Sequence, residues 1–425
     1  MKPNTPAQYF RLPSRTQYSR SPSFLLLTSS FLLAASLRAA PTVSNVAVVQ
    51  DAATKKVTIT YDLDEEAIVT ADILVGGAAL PVPPKLAGDV NHLVAAGTGK
   101  AIVWNPSLDW PLQSAANVSA TVRAWTKEVP PDYMVVKLFD DAVGVKRWYY
   151  ASTNEIPGGI TNRIYKSDYL VMRRIPAKGI KSRLGNDSTR TIPGPNSQTH
   201  LVSFTNDWYM AVYEFTEAQY ARVGGGRSAG PYFTGEDYAD EHPYLPMTGV
   251  FWKDSLRGNV GAAAAPASGT ILAKLRTLTG IATFDLPTDC QWEYSCRAKT
   301  ATTLNDGTDT DWNGAGVNNM NRVAWSSKNA GGRPHEVGTK VPNAWGLYDM
   351  LGNAFEWCRD CEHTYTDADD DVDPLWTGSK FWRRGGSYDH EGWDVNSGSR
   401  NFAHGGWGND GNKWTGFRVM CLLPE

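Results

Sequence analysis

Short runs of alternating apolar and polar positions dominate the first third of the chain. Residues 55–63 (KKVTITYDL), 67–75 (AIVTADILV) and 117–125 (NVSATVRAW) are rich in β-branched residues, and acidic residues or glycines end the first two runs. A period of two is typical of strands that bury one face. Short strands at this spacing predict a small all-β sandwich over residues 41–127.

Two later segments change from a strand pattern to a helix pattern. Thr216 is followed three positions later by Gln219, and Thr288 by Gln291. This spacing is typical of a capping box, in which side chain and backbone bond reciprocally at the first turn of a helix. We therefore expect short helices to begin at these two threonines.

The composition predicts a loop-rich fold and argues against nucleic acid as a partner. The chain has 425 residues with 16 Trp and 39 Gly, and residues 300–343 are mostly Gly, Asn, Asp and Thr. Tryptophan supplies large buried areas and glycine permits irregular turns, so an α+β fold with long loops is expected rather than a helical bundle. A formal charge of −3 offers no basic surface for nucleic acid. Residues 128–164 are predicted to be a linker and a bridging β segment, because the adjacent prolines Pro130 and Pro131 resist both a helix and a central strand.

The first forty residues have the order of a secretory signal peptide. Four basic residues and no acid precede an apolar run at residues 24–36, and small residues follow at Ala39 and Ala40. This pattern predicts cleavage after residue 40 and a secreted or periplasmic protein. The alternative is an uncleaved N-terminal anchor. No later run is apolar enough to span a membrane once the signal is removed.

Five cysteines leave at least one without a partner inside the chain. Cys358 and Cys361 form a C-x-x-C pair, but neither a βαβ context nor a second pair of zinc ligands accompanies it. Structural thiols, or one local disulfide, are the expectation.

Five motifs in order carry a family resemblance: YEFTEAQY (213–220), LPTDCQWEYSCRA (286–298), NAWGLYDMLGNAFEWC (343–358), RRGGS (383–387) and GFR (416–418). On these motifs, residues 165–425 resemble the formylglycine-generating enzyme (sulfatase-modifying factor) family. The resemblance implies a C-type-lectin-like fold, with short helices around irregular sheet and much loop.

The resemblance also implies a structural calcium site in the turn at 346–357. Its ligands would be the side chains of Asp349 and Glu356 and the main-chain carbonyls of Gly352 and Ala354. Calcium takes six to eight oxygen ligands and commonly mixes carboxylates with carbonyls. The alternative is that the two carboxylates cap local N–H groups or pair with arginines. A second calcium occurs in some relatives, but the corresponding loop at 318–329 matches too loosely to assign.

The catalytic cysteines of the family are absent. Family oxidases use copper, O₂ and two cysteines that stand three and eight residues after the RGGS serine, and these positions are His390 and Val395 here. No cysteine lies between Cys361 and Cys421. Because copper(I) prefers thiolate ligands, the known oxidase chemistry is unsupported. The family is one of enzymes, but the absence of the catalytic cysteines leaves the activity of this chain open.

Other chemistry at the same place is the alternative. His390 lies among Asp389 and Glu391, and with His404 it could form a site for copper or non-haem iron. Solvated histidines on a polar loop are the simpler interpretation, so neither metal is expected. A Ser387–His390–Asp389 relay is disfavoured because residues so close in sequence rarely reach the required geometry.

Three arginines, Arg384, Arg400 and Arg418, match family arginines near the cleft. We expect them to pair with buried acids such as Glu293 and Glu356, because the guanidinium fork ties loops together.

The function expected from these observations is that of an exported, calcium-stabilised family member that binds a protein or carbohydrate ligand. The stretch at 401–414, with Trp407 and Trp414, is the candidate binding surface, although both tryptophans could equally be core. The alternative function is a metal-dependent oxidase that acts on exported proteins or small molecules.

Overall fold

The computed structural model describes residues 39–109, 115–140, 144–186, 199–225, 242–310, 317–363, 370–402 and 413–423. Among these residues, sheets greatly outweigh helices, and no helix is both long enough and apolar enough to cross a membrane.

The first eight strands form the predicted β-sandwich. They are β1 Val43–Gln50, β2 Val57–Leu63, β3 Ala67–Val75, β4 Ala78–Ala79, β5 Leu86–Gly88, β6 Leu93–Val94, β7 Gly97–Trp104 and β8 Val118–Trp125, and the short helix α1 is Pro106–Asp109. One sheet has the order β1-β2-β7-β5, and in the other β3 pairs with β4, β6 and β8. Every second residue of β2 is buried, and its partners in the shared core come from both sheets. The alternation in the sequence therefore predicted this part correctly.

The larger region is built on a five-stranded sheet and two smaller sheets. Its strands are β9 Tyr133–Lys137, β10 Arg147–Tyr150, β11 Tyr169–Ile175, β12 Lys181–Leu184, β13 His200–Ser203, β14 Trp208–Ala211, β15 Phe355–Cys361, β16 Asp370–Val372, β17 Phe381–Arg384, β18 Arg400–Phe402, β19 Thr415–Gly416 and β20 Met420–Leu422. The five-stranded sheet has the order β10-β9-β11-β14-β20. The bridging segment therefore shares its sheet with the larger region.

Four short helices complete this region: α2 Glu217–Arg222, α3 Ile271–Thr279, α4 Asp289–Arg297 and α5 Val317–Val323. Both predicted capping boxes are confirmed. Thr216 and Gln219 bond reciprocally at the start of α2, and Thr288 and Gln291 do so at the start of α4.

The core of the larger region accounts for the tryptophan excess. Trp252, Trp292, Trp357 and Trp382 are all fully buried. Trp252 stacks on Phe381 with ring centroids 3.8 Å apart. Large aromatic anchors hold the long connections together where regular structure is sparse. The fold is thus α+β and loop-rich, as expected.

Candidate functional site

The bend that precedes β15 depends on left-handed backbone. Asp349, Gly352 and Asn353 have φ values of 53°, 74° and 58°. At Gly352, a Cβ atom would lie 2.1 Å from the carbonyl oxygen of Trp325, so only glycine fits there. The bend thus brings Asp349 and Glu356 into the interior, where they are 2% and 1% exposed.

Glu356 is fully engaged by N–H donors. Arg418 donates from Nη2 to Oε1 at 2.7 Å and from Nε to both oxygens at 3.1 Å. Trp292 donates from Nε1 to Oε2 at 2.6 Å. For Glu356 the structure therefore shows the arginine pairing that was the alternative to calcium.

Asp349 is only half satisfied. Its Oδ2 accepts from the N–H of Gly338 at 2.5 Å, while its Oδ1 is buried without a hydrogen-bond partner among the described residues. Burial raises the pKa of Asp349 to about 6, and the charge of Glu356 contributes. A buried carboxylate oxygen without a donor is unusual and calls for a proton or a cation.

A third carboxylate, that of Glu214, completes this acidic cluster and was not predicted from the sequence. Glu214 accepts from the N–H of Ala354 at 2.9 Å and from Asn353 Nδ2 at 2.6 Å. Burial, with the charges of Asp349 and Glu356, raises its pKa well above the ordinary value. The available signal was an acid between two aromatic residues, Tyr213 and Phe215.

The acidic cluster fits a cation in part. Asp349 offers an unused oxygen, whereas the oxygens of Glu356 already face Arg418 and Trp292. In the part of the chain that the structure describes, no three His, Cys, Asp or Glu side chains are grouped so that they could hold a metal. An ion here would therefore need main-chain carbonyls for most of its coordination sphere.

A second buried cluster contains the predicted arginine pairs. Arg384 contacts Asp289 through Nε and Glu293 through Nη2, the latter at 2.8 Å. Arg297 pairs with Glu293 at 2.7 Å, and Arg400 lies 3.3 Å from Asp289. The expectation that these arginines pair with buried acids is confirmed.

This arginine cluster keeps its acids ionised. Burial alone would raise the pKa of Asp289, but the charges of Arg384 and Arg400 lower it below the ordinary value. Burial would likewise raise the pKa of Glu293, and the charges of Arg297 and Arg384 lower it instead. Charge and hydrogen bonding therefore outweigh desolvation at this cluster.

Ser387 and His390 contact each other within the loop that follows β17. Ser387 Oγ lies 2.6 Å from His390 Nδ1, and Ser387 is fully buried. Burial lowers the pKa of His390; the charge of Asp394 opposes this shift and that of Arg383 adds to it. Asp389 instead accepts from Trp414 Nε1 at 2.9 Å, so it does not orient the imidazole. The serine–histidine contact forms, but the third member of a relay is engaged elsewhere.

Comparison with known proteins now assigns the larger region. Residues 176–422 match the family model described as "Sulfatase-modifying factor enzyme 1-like domain". The chain belongs to this family.

Two curated relatives of the sulfatase-modifying-factor domain cover parts of the chain. "Chaperone protein LppX" of Paenibacillus barcinonensis is 26% identical over 189 residues, which is 36% of this chain and 62% of that protein. The formylglycine-generating enzyme of Bos taurus is 31% identical over 110 residues, which is 24% of this chain and 29% of that protein. The matches thus span less than two thirds of each relative.

Three solved structures are similar at low identity. Treponema denticola variable protein 1 has a TM-score of 0.48 and 22% identity, covering 60% of this chain and 96% of that one. PvdO from Pseudomonas aeruginosa has a TM-score of 0.48 and 23% identity, with 60% and 94% covered. CarF has a TM-score of 0.36 and 16% identity, with 58% and 100% covered.

The two positions where the sulfatase-modifying-factor oxidases carry cysteines are closely packed. Val395 is fully buried, and a Cβ on Gly386 would lie 2.6 Å from its Cγ2. His390 packs edge-on against Phe355 and Trp414, with centroids 4.7 and 5.6 Å away. The other two candidates from the sequence, His404 and Trp407, lie outside the described residues.

The five cysteines of this family member form no disulfide with one another, and all are buried. Burial raises the pKa of Cys296 to about 12 and that of Cys361 to about 11, and it raises the pKa of Cys358 well above its ordinary value. Thiols with such pKa values carry little thiolate at neutral pH and are poor nucleophiles and metal ligands. The expectation of structural thiols is therefore confirmed, and the local disulfide is not formed.

The loop considered for a second calcium begins as a helix. α5 covers its first part, and the Asn329 side chain then caps the turn, accepting from the N–H of Ser326 at 2.8 Å and donating to the Ala324 carbonyl at 2.9 Å. The Asn329 amide is thus committed to backbone partners.

Proposed function

We propose that this protein is an exported, calcium-stabilised member of the sulfatase-modifying-factor family that binds a ligand or partner instead of oxidising a cysteine. The observation that carries the proposal is the chemistry at the two family cysteine positions. A buried valine and a histidine hydrogen-bonded to Ser387 stand there.

The positions of His390 and Val395 offer few ligands for copper. Copper(I) selects soft thiolate ligands, and the side chain of Val395 offers no ligand atom at all. The nearest alternative donor, His390, has Nδ1 engaged with Ser387 Oγ. The five thiols of the chain are buried elsewhere, and burial disfavours their thiolate forms.

Calcium at the bend is part of the proposal. Asp349 would supply the charged ligand through its unused oxygen, and the carbonyls of Gly352 and Ala354 would supply neutral ligands. Glu356 would have to share its carboxylate between Arg418 and the ion. A divalent cation would also compensate Glu214, whose buried charge lacks an arginine partner among the described residues.

Ligand binding is proposed for the stretch 401–414, of which the structure describes residues 401–402 and 413–414. Trp414 is half-buried beside Asp389, and Trp393 is 54% exposed on the preceding turn. Exposed aromatic rings suit a protein or a carbohydrate, because both can stack on an indole. Export rests on the leader sequence alone.

Oxygen consumption with a sulfatase-type cysteine peptide tests the non-catalytic role. We expect the purified, copper-supplemented protein to consume oxygen no faster than buffer. The double variant His390→Cys/Val395→Cys supplies the missing thiols and should bind copper(I) where the natural chain does not. Peptide-dependent oxygen uptake by the natural chain would refute the proposal.

Metal analysis of the purified protein separates the two functions. Calcium without stoichiometric copper or iron supports the binding function. Stoichiometric iron or copper that disappears in His390→Ala would instead support the metal-dependent oxidase.

A further inference from the structure

A separate cavity with mixed polar and apolar walls lies beside the edge strand β20. It has a volume of about 340 Å³ and lies between Met420 and Leu422 of that strand and Thr288 and Gln291 at the start of α4. The charged residues in its wall are Arg276, Arg359 and Asp373, and we call this cavity the arginine pocket. It shares no residue with the acidic cluster or with the loop that carries Ser387 and His390.

Positive charge is in excess behind the wall of the arginine pocket. Three guanidinium groups converge on the carboxylate of Asp285: Arg257 Nε at 2.7 Å, Arg276 Nη2 at 3.3 Å and Arg359 Nε at 3.5 Å. Asp285 is only 1% exposed, so water screens this arrangement little. One carboxylate cannot neutralise three guanidinium groups.

The neighbouring acids do not remove the excess. Asp373 in the pocket wall accepts from the backbone N–H and the hydroxyl of Thr205, and together with Asp285 it sets two negative charges against the three guanidinium groups. Asp360 is fully buried, and burial with the charge of Asp289 raises its pKa well above the ordinary value. Consistent with crowding, burial and the neighbouring arginines lower the pKa values of Arg276 and Arg359.

Several donors in the pocket wall are unused. Arg359 donates from Nε to the carbonyl of Ala262, and Arg276 from Nε to that of Phe284. Among the described residues, nothing accepts from Arg359 Nη1 and Nη2, from Arg276 Nη1 or from Gln291 Nε2. The wall therefore offers N–H donors from two guanidinium groups and one amide.

We propose that the arginine pocket binds a doubly charged tetrahedral oxyanion: sulfate, phosphate, or the sulfate or phosphate group of a small molecule. Guanidinium groups bind such oxygens through paired N–H donors, and an anion in the pocket would offset the positive charge that Asp285 and Asp373 leave. The cavity volume admits the anion together with a few further atoms of a small ester.

Isothermal titration of the full chain with inorganic sulfate, inorganic phosphate and methyl phosphate tests the proposal. We expect saturable binding of each dianion at one site, and tighter binding of the ester than of free phosphate if the natural ligand is a larger molecule. Arg359→Gln should weaken binding by about tenfold or more, since it removes a charge-assisted contact. Arg359→Lys keeps the positive charge but loses the paired N–H donors of the guanidinium group. Its affinity for the anion should lie between those of the natural chain and Arg359→Gln.

Arg222→Gln is the matched control, because this exposed arginine pairs with Asp168 outside the pocket. It should bind sulfate as the natural chain does. If Arg359→Gln fails to fold, protection of Arg359 from phenylglyoxal by sulfate in the natural chain replaces the variant. The absence of saturable binding, equal affinity in Arg359→Gln, or acetate binding as tightly as sulfate would each overturn the proposal.

Discussion

Two buried charge clusters meet at the strand pair β15–β17, where Glu356 lies opposite Arg384. The two clusters differ in their ratio of arginines to acids. In the arginine cluster, Arg297, Arg384 and Arg400 face Asp289 and Glu293. In the acidic cluster, Arg418 pairs with Glu356, whereas Glu214 and Asp349 form no salt bridge among the described residues.

The pKa directions follow this difference. The acids of the arginine cluster have lowered pKa values, whereas the pKa values of Asp349 and Glu214 are raised. Both sets of acids are equally buried, so the nearby charges decide the sign. The first cluster is complete with protein groups alone. The second requires a proton or an added cation, which is why calcium is proposed there and not at the other.

The largest effect that separates the clusters should come from removing Arg384. Arg384→Met leaves Asp289 and Glu293 buried with reduced compensation, and we expect unfolding free energy to fall by about 3–5 kcal/mol. Denaturant unfolding measures this. Arg222→Ala, at an exposed pair, should stay within about 1 kcal/mol of the natural chain. Equal losses in the two variants would contradict the assignment of a buried network.

Calcium should act on the acidic cluster with a smaller effect. At a hundredfold excess over its Kd, calcium should add about 2.7 kcal/mol to the unfolding free energy, and EDTA should remove this gain. Asp349→Asn should abolish the response, because it replaces the ligand with an uncharged isostere. Glu356→Gln should lower stability with and without calcium, because it breaks the pair with Arg418. A melting temperature indifferent to EDTA would refute the calcium site.

The pH dependence of stability should have opposite signs at the two clusters. Asp349 has a pKa of about 6 against an ordinary value of 3.8, so the folded chain holds a proton that the unfolded chain releases. Without calcium, stability should therefore fall as pH rises from about 4 to 6, by at most about 1.4 kcal/mol per unit from this group. The lowered pKa values of Asp289 and Glu293 contribute stability at neutral pH. This contribution is lost only as the pH falls below the ordinary pKa values of 3.8 and 4.5.

Asp349→Asn is the matched variant for this window. Urea unfolding at several pH values should show a flatter profile between about pH 4 and 6 for this variant than for the natural chain in EDTA. An unchanged slope would mean that Asp349 does not titrate as its burial indicates.

The smallest effect should come from reducing agents. Since none of the five cysteines forms a disulfide and all are buried, dithiothreitol should leave the melting temperature unchanged. A thiol reagent should react slowly with the folded chain and should count five thiols after denaturation. Fewer than five would reveal a disulfide.

Local signals in the sequence predicted the structure well. The capping boxes at Thr216 and Thr288 involve residues three positions apart, so their geometry follows from the helix start itself. The alternation in β2 predicted a buried face, because a strand packed on one side must alternate. The family motifs correctly suggested that Arg384 and Arg418 pair with Glu293 and Glu356.

Long-range groupings were missed for a physical reason. Behind the wall of the arginine pocket, Asp285 gathers Arg257, Arg276 and Arg359, and no local pattern links positions so far apart. Glu214 joins Asp349 only because the segment after β14 approaches the bend.

The contact between Ser387 and His390 formed although their closeness in sequence argued against a relay. A tight turn permits that one contact and leaves Asp389 on Trp414. Sequence spacing alone therefore excluded the three-residue relay correctly, but it could not show which pair would meet.

The position of β20 at the edge of the five-stranded sheet has a consequence for synthesis. β14 gains its outer neighbour only when residues 420–422 have been made, and Asp285 pairs with Met420 at the same time. Until residues 420–422 emerge from the ribosome, the outer edge of β14 carries unbonded peptide groups, which invite pairing with other chains. Stalled or truncated products should accordingly aggregate far more readily than the finished protein.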